Sequence, residues 1–445
     1  MNPKDKSKNP AVDLSEGDSN LSPRRQRWKR EQMDDVSSGW LDRDAKVFLH
    51  QSLSTPCLNV LQGCSGSHIE DLEGRRYFDF HGNSAHQVGF AHPQVIRAIH
   101  QQLDQLAFCT RRYTNLPAIK LAEKLTSIAP ASLGKVLFAP GGTTAVGMAI
   151  KLVRAATGRF KTVSMWDAFH GASLDVMSVS GETMFRRDVG PFLADTQQVP
   201  PADPYRCIWQ PDGDCRRCGL KCAAYIEYVL EKEGDVGAVI AEPIRNTAVN
   251  PPPPGYWQAV RSACDRHGAL LVMDETAVCF GRTGRMFACQ CFDVVPDILT
   301  IGKGLGGGVI PFAAMIARSD LDVAPEKSIG HYTHEKNPVA AAAGLATIDI
   351  IESRDLPARA RKLGTHAMDR LRAMQTDHPL IGDVRGVGLV LGVELVRDRS
   401  TKARASDEAD QLMYECLERG LSFKTSQGNF IPLSPPLTIQ RAALD

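Results

Sequence analysis

The chain has 445 residues, with 52 lysines and arginines against 51 aspartates and glutamates, and a formal net charge of +1. This near balance excludes the excess of positive charge that is typical of proteins binding nucleic acids or anionic membranes. The hydrophobic share of 43% is ordinary for a globular protein, and the length is typical of two or three packed units rather than one core.

Residues 1–36 are predicted to form a disordered N-terminal tail, because they are rich in charged and polar side chains. They contain no apolar segment like that of a secretory signal, and no part of the chain approaches the run of about 18 apolar residues that spans a membrane. We therefore expect a cytoplasmic protein without a membrane segment. In that compartment the twelve cysteines are expected to be reduced.

Residues 37–105 are predicted to be an N-terminal segment that contributes to a smaller domain. Residues 67–80 have alternating apolar positions on both sides of Glu73-Gly74, which predicts a β-hairpin. Pro93 and Pro117 each precede apolar residues at helical spacing, so each is expected to begin a helix.

Strands and helices alternate in residues 106–338, which predicts a large domain with a mostly parallel central sheet. The expected strands are 135–139, 161–165, 237–241, 269–273, 297–301 and 312–316, and the expected helices include 145–156, 223–233 and 256–267. Residues 339–445 are expected to form the rest of the smaller domain. The predicted fold class is therefore α/β, with a large domain and a smaller α+β domain.

Two of these strands end in residues that suit the chemistry of pyridoxal phosphate. Asp274 follows the strand at 269–273, and Lys303, between two glycines, follows the strand at 297–301. Ligands of open α/β sheets bind beyond the carboxyl ends of strands. There, a lysine amine can bond to the cofactor aldehyde and a carboxylate can keep the ring nitrogen protonated. We predict both residues to be catalytic; a helix-capping aspartate and a solvated loop lysine are the alternatives.

Three further motifs fit such a site, and each has a plainer interpretation. Gly142 and Thr143 stand between a strand and a helix, where backbone N–H groups bind phosphate; the alternative is a capped turn. Phe169-His170 follows the next strand, and its aromatic ring either stacks on the cofactor or packs in the core. Glu242 follows the strand at 237–241 and either organises the site or ends the strand in a turn.

Together these motifs resemble the class III aminotransferase family of fold-type I pyridoxal phosphate enzymes, with similarity from about Thr55 to Ile439. The matching motifs are Glu242-Pro243-Ile244, Met273-Asp274-Glu275, Gly281-Arg282-Thr283-Gly284 and the segment from Gly302 to Gly308. The resemblance implies a homodimer with shared active sites and a phosphate contact made by Thr333 across the interface. The predicted cofactor-binding residues are Gly142, Thr143, Phe169, His170, Glu242, Asp274, Lys303 and Thr333.

Several departures from the family pattern bear on the substrate. Many members have an arginine that binds the substrate's α-carboxylate where this chain has Pro432, and proline offers no donor to a carboxylate. The family usually has glutamate at the position of Thr144, Val-Gln at Thr276-Ala277 and Gln-Gly at Arg245-Asn246. We expect a substrate amine without an α-carboxylate, although neutral drift would also produce these differences.

The predicted substrate-binding residues are Arg111, Arg112, Tyr113 and Arg245, because arginine suits the oxyanions of a phosphonate or phosphate. A solvated surface pair is the alternative for the first two. In its departures the chain is similar to family members that remove ammonia from hydroxylated aminophosphonates, so we predict a β-elimination that releases ammonia from an aminophosphonate. The alternatives are an aminotransferase for an ω-amine or amino acid, a phospho-lyase for an amino-alcohol phosphate, and an inactive protein with the same fold.

Four cysteines interrupt the alternation of strands and helices with the spacing C-x7-C-x2-C-x3-C, and they are Cys207, Cys215, Cys218 and Cys222. Four thiolates can hold zinc or an iron–sulfur cluster. The spacing is irregular, however, and the family resemblance requires no metal here. We therefore expect free thiols and keep a structural metal as the alternative.

Overall fold

The computed structural model of the protein describes residues 22–51, 58–210 and 212–445. Within these ranges the strands are β1 (Leu61–Ser65), β2 (His68–Asp71), β3 (Arg76–Asp79), β4 (Leu133–Ala139), β5 (Lys161–Met165), β6 (Thr196–Val199), β7 (Val236–Ala241), β8 (Leu270–Asp274), β9 (Ile298–Ile301), β10 (Ala313–Arg318), β11 (Ile381–Val387), β12 (Val390–Asp398), β13 (Ala403–Arg404), β14 (Leu421–Ser422) and β15 (Phe430–Leu433).

The α-helices of the same ranges are α1 (Pro23–Gln32), α2 (Asp35–Val47), α3 (Pro93–Gln105), α4 (Leu116–Ile128), α5 (Gly142–Thr157), α6 (Leu174–Val179), α7 (Thr183–Arg186), α8 (Cys215–Cys218), α9 (Lys221–Glu233), α10 (Tyr256–His267), α11 (Pro338–Ser353), α12 (Leu356–Asp377), α13 (Ser406–Glu418) and α14 (Arg441–Leu444). None of the helices in the described part of the chain has both the length and the apolar character needed to cross a bilayer.

A seven-stranded sheet forms the centre of the fold, with the strand order β4-β10-β9-β8-β7-β5-β6. In the part of the sheet with the order β9-β8-β7-β5-β6, each strand runs parallel to its neighbours. β10 runs antiparallel to both β4 and β9. β7, β8 and β9 are buried along their whole length, as strands covered on both faces of a sheet must be. This sheet confirms the predicted α/β fold class.

The strands and helices predicted for residues 106–338 are all present, with ends that differ from the prediction by at most three residues. β6 is absent from the prediction. Its sequence, Thr-Gln-Gln-Val, is mostly polar and only its last residue is buried. A short strand at the edge of a sheet therefore carries little of the apolar pattern from which strands are predicted.

The predicted disordered tail is wrong for residues 22–36, whereas residues 1–21 lie outside the described ranges. Ser22 caps α1, because its side chain accepts a hydrogen bond from the Arg25 N–H. Trp28 is only 3% exposed, its ring centroid lies 5.9 Å from that of Tyr414, and its Nε1 donates to Asn59. The contacts of the buried Trp28 stabilise α1, and the polar composition of this segment does not predict that it is ordered. Residues 52–57, where the family similarity begins, also lie outside the described ranges.

The predicted hairpin at 67–80 is confirmed, since β2 and β3 pair antiparallel. β14, from far along the chain, pairs in parallel with β3, and Ser422 lies opposite Asp79. The N-terminal segment and the C-terminal part thus share one four-stranded sheet. The boundaries of that division, at 105–106 and 338–339, stay predictions.

Candidate active site

A cavity of about 330 Å³ opens beyond the carboxyl ends of the parallel strands. One part of its lining, here called the sheet wall, consists of residues that follow strands of the central sheet: Gly142, Thr143, Phe169, His170, Glu242, Asp274 and Lys303. Another part, here called the hairpin wall, lies next to the paired strands β3 and β14: His81, Asn83, Ser84 and Lys424. The sheet wall brings together seven of the eight predicted cofactor-binding residues.

Asp274 ends β8 and is 5% exposed. Its Oδ1 accepts hydrogen bonds from the Thr276 backbone N–H at 3.0 Å, the Thr276 hydroxyl at 2.5 Å and the Thr300 hydroxyl at 3.0 Å. Its Oδ2 lies 2.9 Å from Nδ1 of His170. Burial by itself would raise the pKa of this carboxyl, but the hydrogen bonds from His170 and Thr276 outweigh it and hold the pKa below its ordinary value. Asp274 is therefore ionised.

His170 is the donor in this pair, because an ionised carboxylate can only accept. Burial works to lower the pKa of His170, but the hydrogen bond to Asp274 and the charges of Asp274 and Glu242 raise it above the ordinary value. Glu242 accepts hydrogen bonds from the backbone N–H groups of Asn246 and Phe169. Burial raises the pKa of the Glu242 carboxyl, although the nearby charge of His170 works to lower it. The sheet wall thus holds two carboxyl groups, Asp274 and Glu242, and the histidine beside Asp274 keeps that carboxylate ionised.

The start of α5 forms a small cradle in the sheet wall. The Gly141 N–H donates a hydrogen bond to the Thr144 hydroxyl, and that hydroxyl donates one to the Gly141 carbonyl oxygen. A Cβ on Gly142 would lie 2.8 Å from the Thr276 side chain, and one on Gly171, whose φ is +136°, would lie 1.9 Å from the Thr143 hydroxyl. The glycines let Thr276 and Thr143 pack closely around the helix N-terminus, where backbone N–H groups and the helix dipole favour negative charge.

Lys303 follows β9 and begins the 3₁₀ turn Lys303–Gly306. Its φ is +45°, a left-handed conformation that is uncommon for a residue with a Cβ. A Cβ on the next residue, Gly304, would lie 2.1 Å from the Gln87 side chain, so alanine there would displace that side chain. The Lys303 side chain is exposed to the cavity that Asp274 also lines.

The hairpin wall contains two residues that the sequence did not single out, His81 and Lys424. His81 Nδ1 accepts a hydrogen bond from the Asn83 N–H at 2.8 Å, so its proton is on Nε2. Burial, and then the charges of Lys424 and Lys303, hold the pKa of His81 well below its ordinary value. His81 is therefore neutral near pH 7. The sequence offers no local motif at either residue.

A family model of class-III aminotransferases matches residues 51–445. The chain belongs to the class III aminotransferase family. The (R)-1-hydroxy-2-aminoethylphosphonate ammonia-lyase of Vibrio splendidus (strain 12B01) is 48% identical over 443 residues, which cover 97% of this chain and 92% of that protein. The leucine/methionine racemase of Thermococcus litoralis is 39% identical, over 91% of this chain and 92% of that protein.

Among solved structures, an amine transaminase from an uncultivated Pseudomonas species, in its pyridoxal-phosphate-bound form, has a TM-score of 0.84 and 31% identity. The match covers 89% of this chain and 96% of that chain. These likenesses confirm the fold-type I architecture predicted from the family motifs. The protein is an enzyme that depends on pyridoxal 5'-phosphate.

The sheet wall suits this cofactor at each of its three polar ends. Gly142 and Thr143 would hold the phosphate at the start of α5, the ionised Asp274 would hold the protonated ring nitrogen, and the Lys303 amine would bond to the aldehyde. Phe169 is half-buried in the lining, with its ring centroid 4.5 Å from that of Phe185. The departures from the family pattern lie nearby: Thr276 adds two hydrogen bonds to Asp274, and Ala277 lines the cavity.

The structure places the other predicted residues outside this cavity. Arg245 is 7% exposed, and its Nη1 lies 3.4 Å from Oδ2 of Asp167. It lines a neighbouring cavity, and Glu242 lines both cavities. Arg111, Arg112 and Tyr113 are exposed and lie outside the lining of the Lys303 cavity. Arg111 contacts His331, close in sequence to the exposed Thr333.

The four cysteines of the interrupting segment remain unpaired thiols, with Cys218 and Cys222 buried and Cys207 and Cys215 half-buried. The Cys218 thiol donates to the Cys215 carbonyl oxygen at 3.4 Å. Across the described ranges, no three His, Cys, Asp or Glu side chains converge on a metal-binding position.

Proposed function

We propose that the enzyme is an ammonia-lyase that converts (R)-1-hydroxy-2-aminoethylphosphonate to phosphonoacetaldehyde and ammonia in aminophosphonate catabolism. The 48% identity to an enzyme of that name over 97% of the chain carries the proposal. Pro432 supports it, because this residue lies buried in β15, opposite Gly392 of β12, and supplies no cation for an α-carboxylate. The proposed substrate has an amine, a neighbouring hydroxyl and no carboxylate.

When bound, pyridoxal phosphate supplies an aldehyde for the substrate amine and a ring that stores the electron pair of the reacting carbon. Asp274 would stabilise the positive ring nitrogen, because its pKa is held low and it stays ionised. His170 orients that carboxylate from one side, and the hydroxyls of Thr276 and Thr300 do so from the other. These contacts fix the carboxylate before substrate arrives, so little reorganisation is needed during the reaction.

Lys303 is the base candidate for the proton on the carbon that bears the amine. Removal of that proton drives the hydroxyl off the neighbouring carbon, and together they leave as water. Water then hydrolyses the released unsaturated amine to aldehyde and ammonia. The net reaction is therefore a rearrangement of substrate into two products, with no oxidant and no keto acid consumed.

The test is to incubate the holoenzyme with (R)-1-hydroxy-2-aminoethylphosphonate in the absence of any keto acid. Ammonia and phosphonoacetaldehyde are expected in equal amounts, and the (S) enantiomer serves as the control. If no ammonia is released, but alanine forms when pyruvate and an amine donor are supplied, the enzyme is a transaminase. Release of inorganic phosphate from an amino-alcohol phosphate would make it a phospho-lyase.

The proposed enzyme is a cytoplasmic homodimer, in which Thr333 reaches the cofactor phosphate of the partner subunit. Two observations support this arrangement: Thr333 is exposed, and it lies outside the cavity of its own chain. Light scattering is expected to give twice the mass of 48.6 kDa. Mixed dimers of Lys303→Ala and Thr333→Ala chains should recover one intact site, and a lack of recovery would contradict the shared site.

A further inference from the structure

Lys424 is a second lysine in the cavity that holds Lys303. It reaches the cavity through backbone pairing, since β14 runs parallel to β3 with Ser422 opposite Asp79. Lys424 and His81 each lie two residues beyond that pair, at the same end of both strands. The charge of Lys424 also acts on His81, since it is the second cause, after burial, that lowers the pKa of His81.

Charge is divided unevenly around the cavity. The carboxylates of the lining, Asp274 and Glu242, both belong to the sheet wall. The hairpin wall has a cation, Lys424, beside the neutral His81, whose Nε2–H can donate. An anionic group of a bound substrate is therefore favoured at the hairpin wall and disfavoured near the carboxylates.

Thr247 gives a second, independent sign of a polar ligand in this cavity. It lines the cavity and is 6% exposed. Its hydroxyl has no hydrogen-bond partner within the part of the chain that the structure describes. A buried hydroxyl without a partner is costly, and a ligand oxygen in the cavity would satisfy it.

The other cations considered for an anion site are less suitable. Arg245 faces Asp167 in the neighbouring cavity, and Arg111 is on the surface beside His331. The position at which many relatives have an arginine is Pro432. Lys424 is thus the cation, besides Lys303 itself, that lines this cavity among the described residues.

We propose that Lys424, with His81 beside it, binds the phosphonate group of the substrate and replaces the missing arginine as the anion anchor. This inference rests on the proposed function. A lysine ammonium is a compact charge with three rotatable donors, which can contact more than one oxygen of a tetrahedral phosphonate dianion. The lysine and the proline together would favour a phosphonate over an α-amino acid.

The first experiment measures binding of methylphosphonate to the holoenzyme by isothermal titration calorimetry, which needs no turnover. Lys424→Met keeps the length of the side chain and removes its charge, so the dissociation constant should rise about tenfold or more, as for loss of a charged hydrogen bond. Lys424→Arg keeps the charge and should stay within a few-fold of wild type. Lys232→Met removes an exposed lysine of α9, paired with Glu231, and should change nothing.

The second experiment compares two substrates, the hydroxy-aminophosphonate and 1-amino-2-propanol, which has a methyl group in place of the phosphonate. Lys424→Met should lower kcat/KM for the first about tenfold or more, mainly through KM, and leave the second unchanged. Equal methylphosphonate affinity in Lys424→Met and wild type would overturn the inference. Weaker methylphosphonate binding in Arg245→Gln instead of in Lys424→Met would also overturn it. If wild type binds methylphosphonate through Lys424 but releases no ammonia, the proposed function fails and the anion anchor stands.

Discussion

The two walls of the catalytic cavity are built in different ways. Each residue of the sheet wall directly follows its own strand or lies within a few residues of it, and the order of the strands in the sheet brings these residues together. The hairpin wall depends on one pairing between β3 and β14, which are far apart in the sequence. The sheet wall holds groups suited to the cofactor, and the hairpin wall holds a cation suited to a substrate anion. On the proposals made above, cofactor chemistry and substrate choice belong to separate parts of the chain.

Lys303→Ala should have the largest effect, because it removes the amine that bonds to the cofactor and the base for the substrate proton. Ammonia release from the hydroxy-aminophosphonate should fall by at least about 10²–10⁴-fold, the usual contribution of a general base. The visible absorption of the bound cofactor should shift as well. Residual activity near the wild-type level would remove Lys303 from the mechanism and with it the function assigned to the sheet wall.

Asp274→Asn should come next, since it keeps the shape of the side chain and removes its charge. The loss of a fixed charge at the ring nitrogen should lower kcat by about 10²–10³-fold, a size typical of preorganised electrostatic groups. Both substrates of the Lys424 experiment should be affected equally, in contrast to Lys424→Met. Thr300→Val is the matched control, because it removes only one of the hydrogen bonds to Asp274 and should cost far less.

Glu275→Gln tests the stability of the sheet wall against pH. Glu275 is fully buried and accepts from the backbone N–H groups of Ala288 and Cys289. Burial raises the pKa of its carboxyl from 4.5 to about 7. Between these values the folded chain keeps a proton that the unfolded chain releases, so the free energy of unfolding falls as pH rises, by up to about 3 kcal/mol.

Urea unfolding of wild type and Glu275→Gln between pH 5 and 8 isolates this contribution, because all other titrating groups are shared. The wild type should lose stability relative to the variant as pH rises from about 4.5 to about 7. Two parallel pH profiles would show that the carboxyl titrates alike in the folded and unfolded chains.

Gly171→Ala should have the smallest effect of these changes. Its Cβ would lie 1.9 Å from the Thr143 hydroxyl, so the phosphate cradle must shift, at a cost of about 1–3 kcal/mol. Gly158→Ala is the control, because Gly158 has a positive φ too but open space around it. Cofactor retention during dialysis should fall for Gly171→Ala only. Equal retention in both variants would place the phosphate elsewhere.

The sequence predicted the sheet wall well for a physical reason. Asp274, Lys303 and Glu242 each stand beside an apolar run that is itself a strand, so a local pattern fixes both the strand and the position of the polar group at its end. The same reasoning placed Gly142 and Thr143 at the start of a helix. Local patterns suffice wherever a residue's position depends only on its own strand.

Local patterns do not predict the hairpin wall or the positions of the arginine side chains. Lys424 follows a strand of two residues, β14, too short to be predicted, and its place depends on a partner near the start of the chain. Arg111 and Arg245 have the right chemistry for a phosphonate, but residue type does not say which cavity a side chain enters. Trp28 similarly orders α1 through a contact with Tyr414, far along the chain.

The parallel pairing of β3 with β14 has a consequence for the chain as it leaves the ribosome. Every residue of the sheet wall emerges before Lys424 does, so the residues proposed to contact the cofactor within one chain are all available for folding while the proposed anion anchor is still in the exit tunnel. On this proposal, substrate discrimination is the last property of the cavity to be assembled.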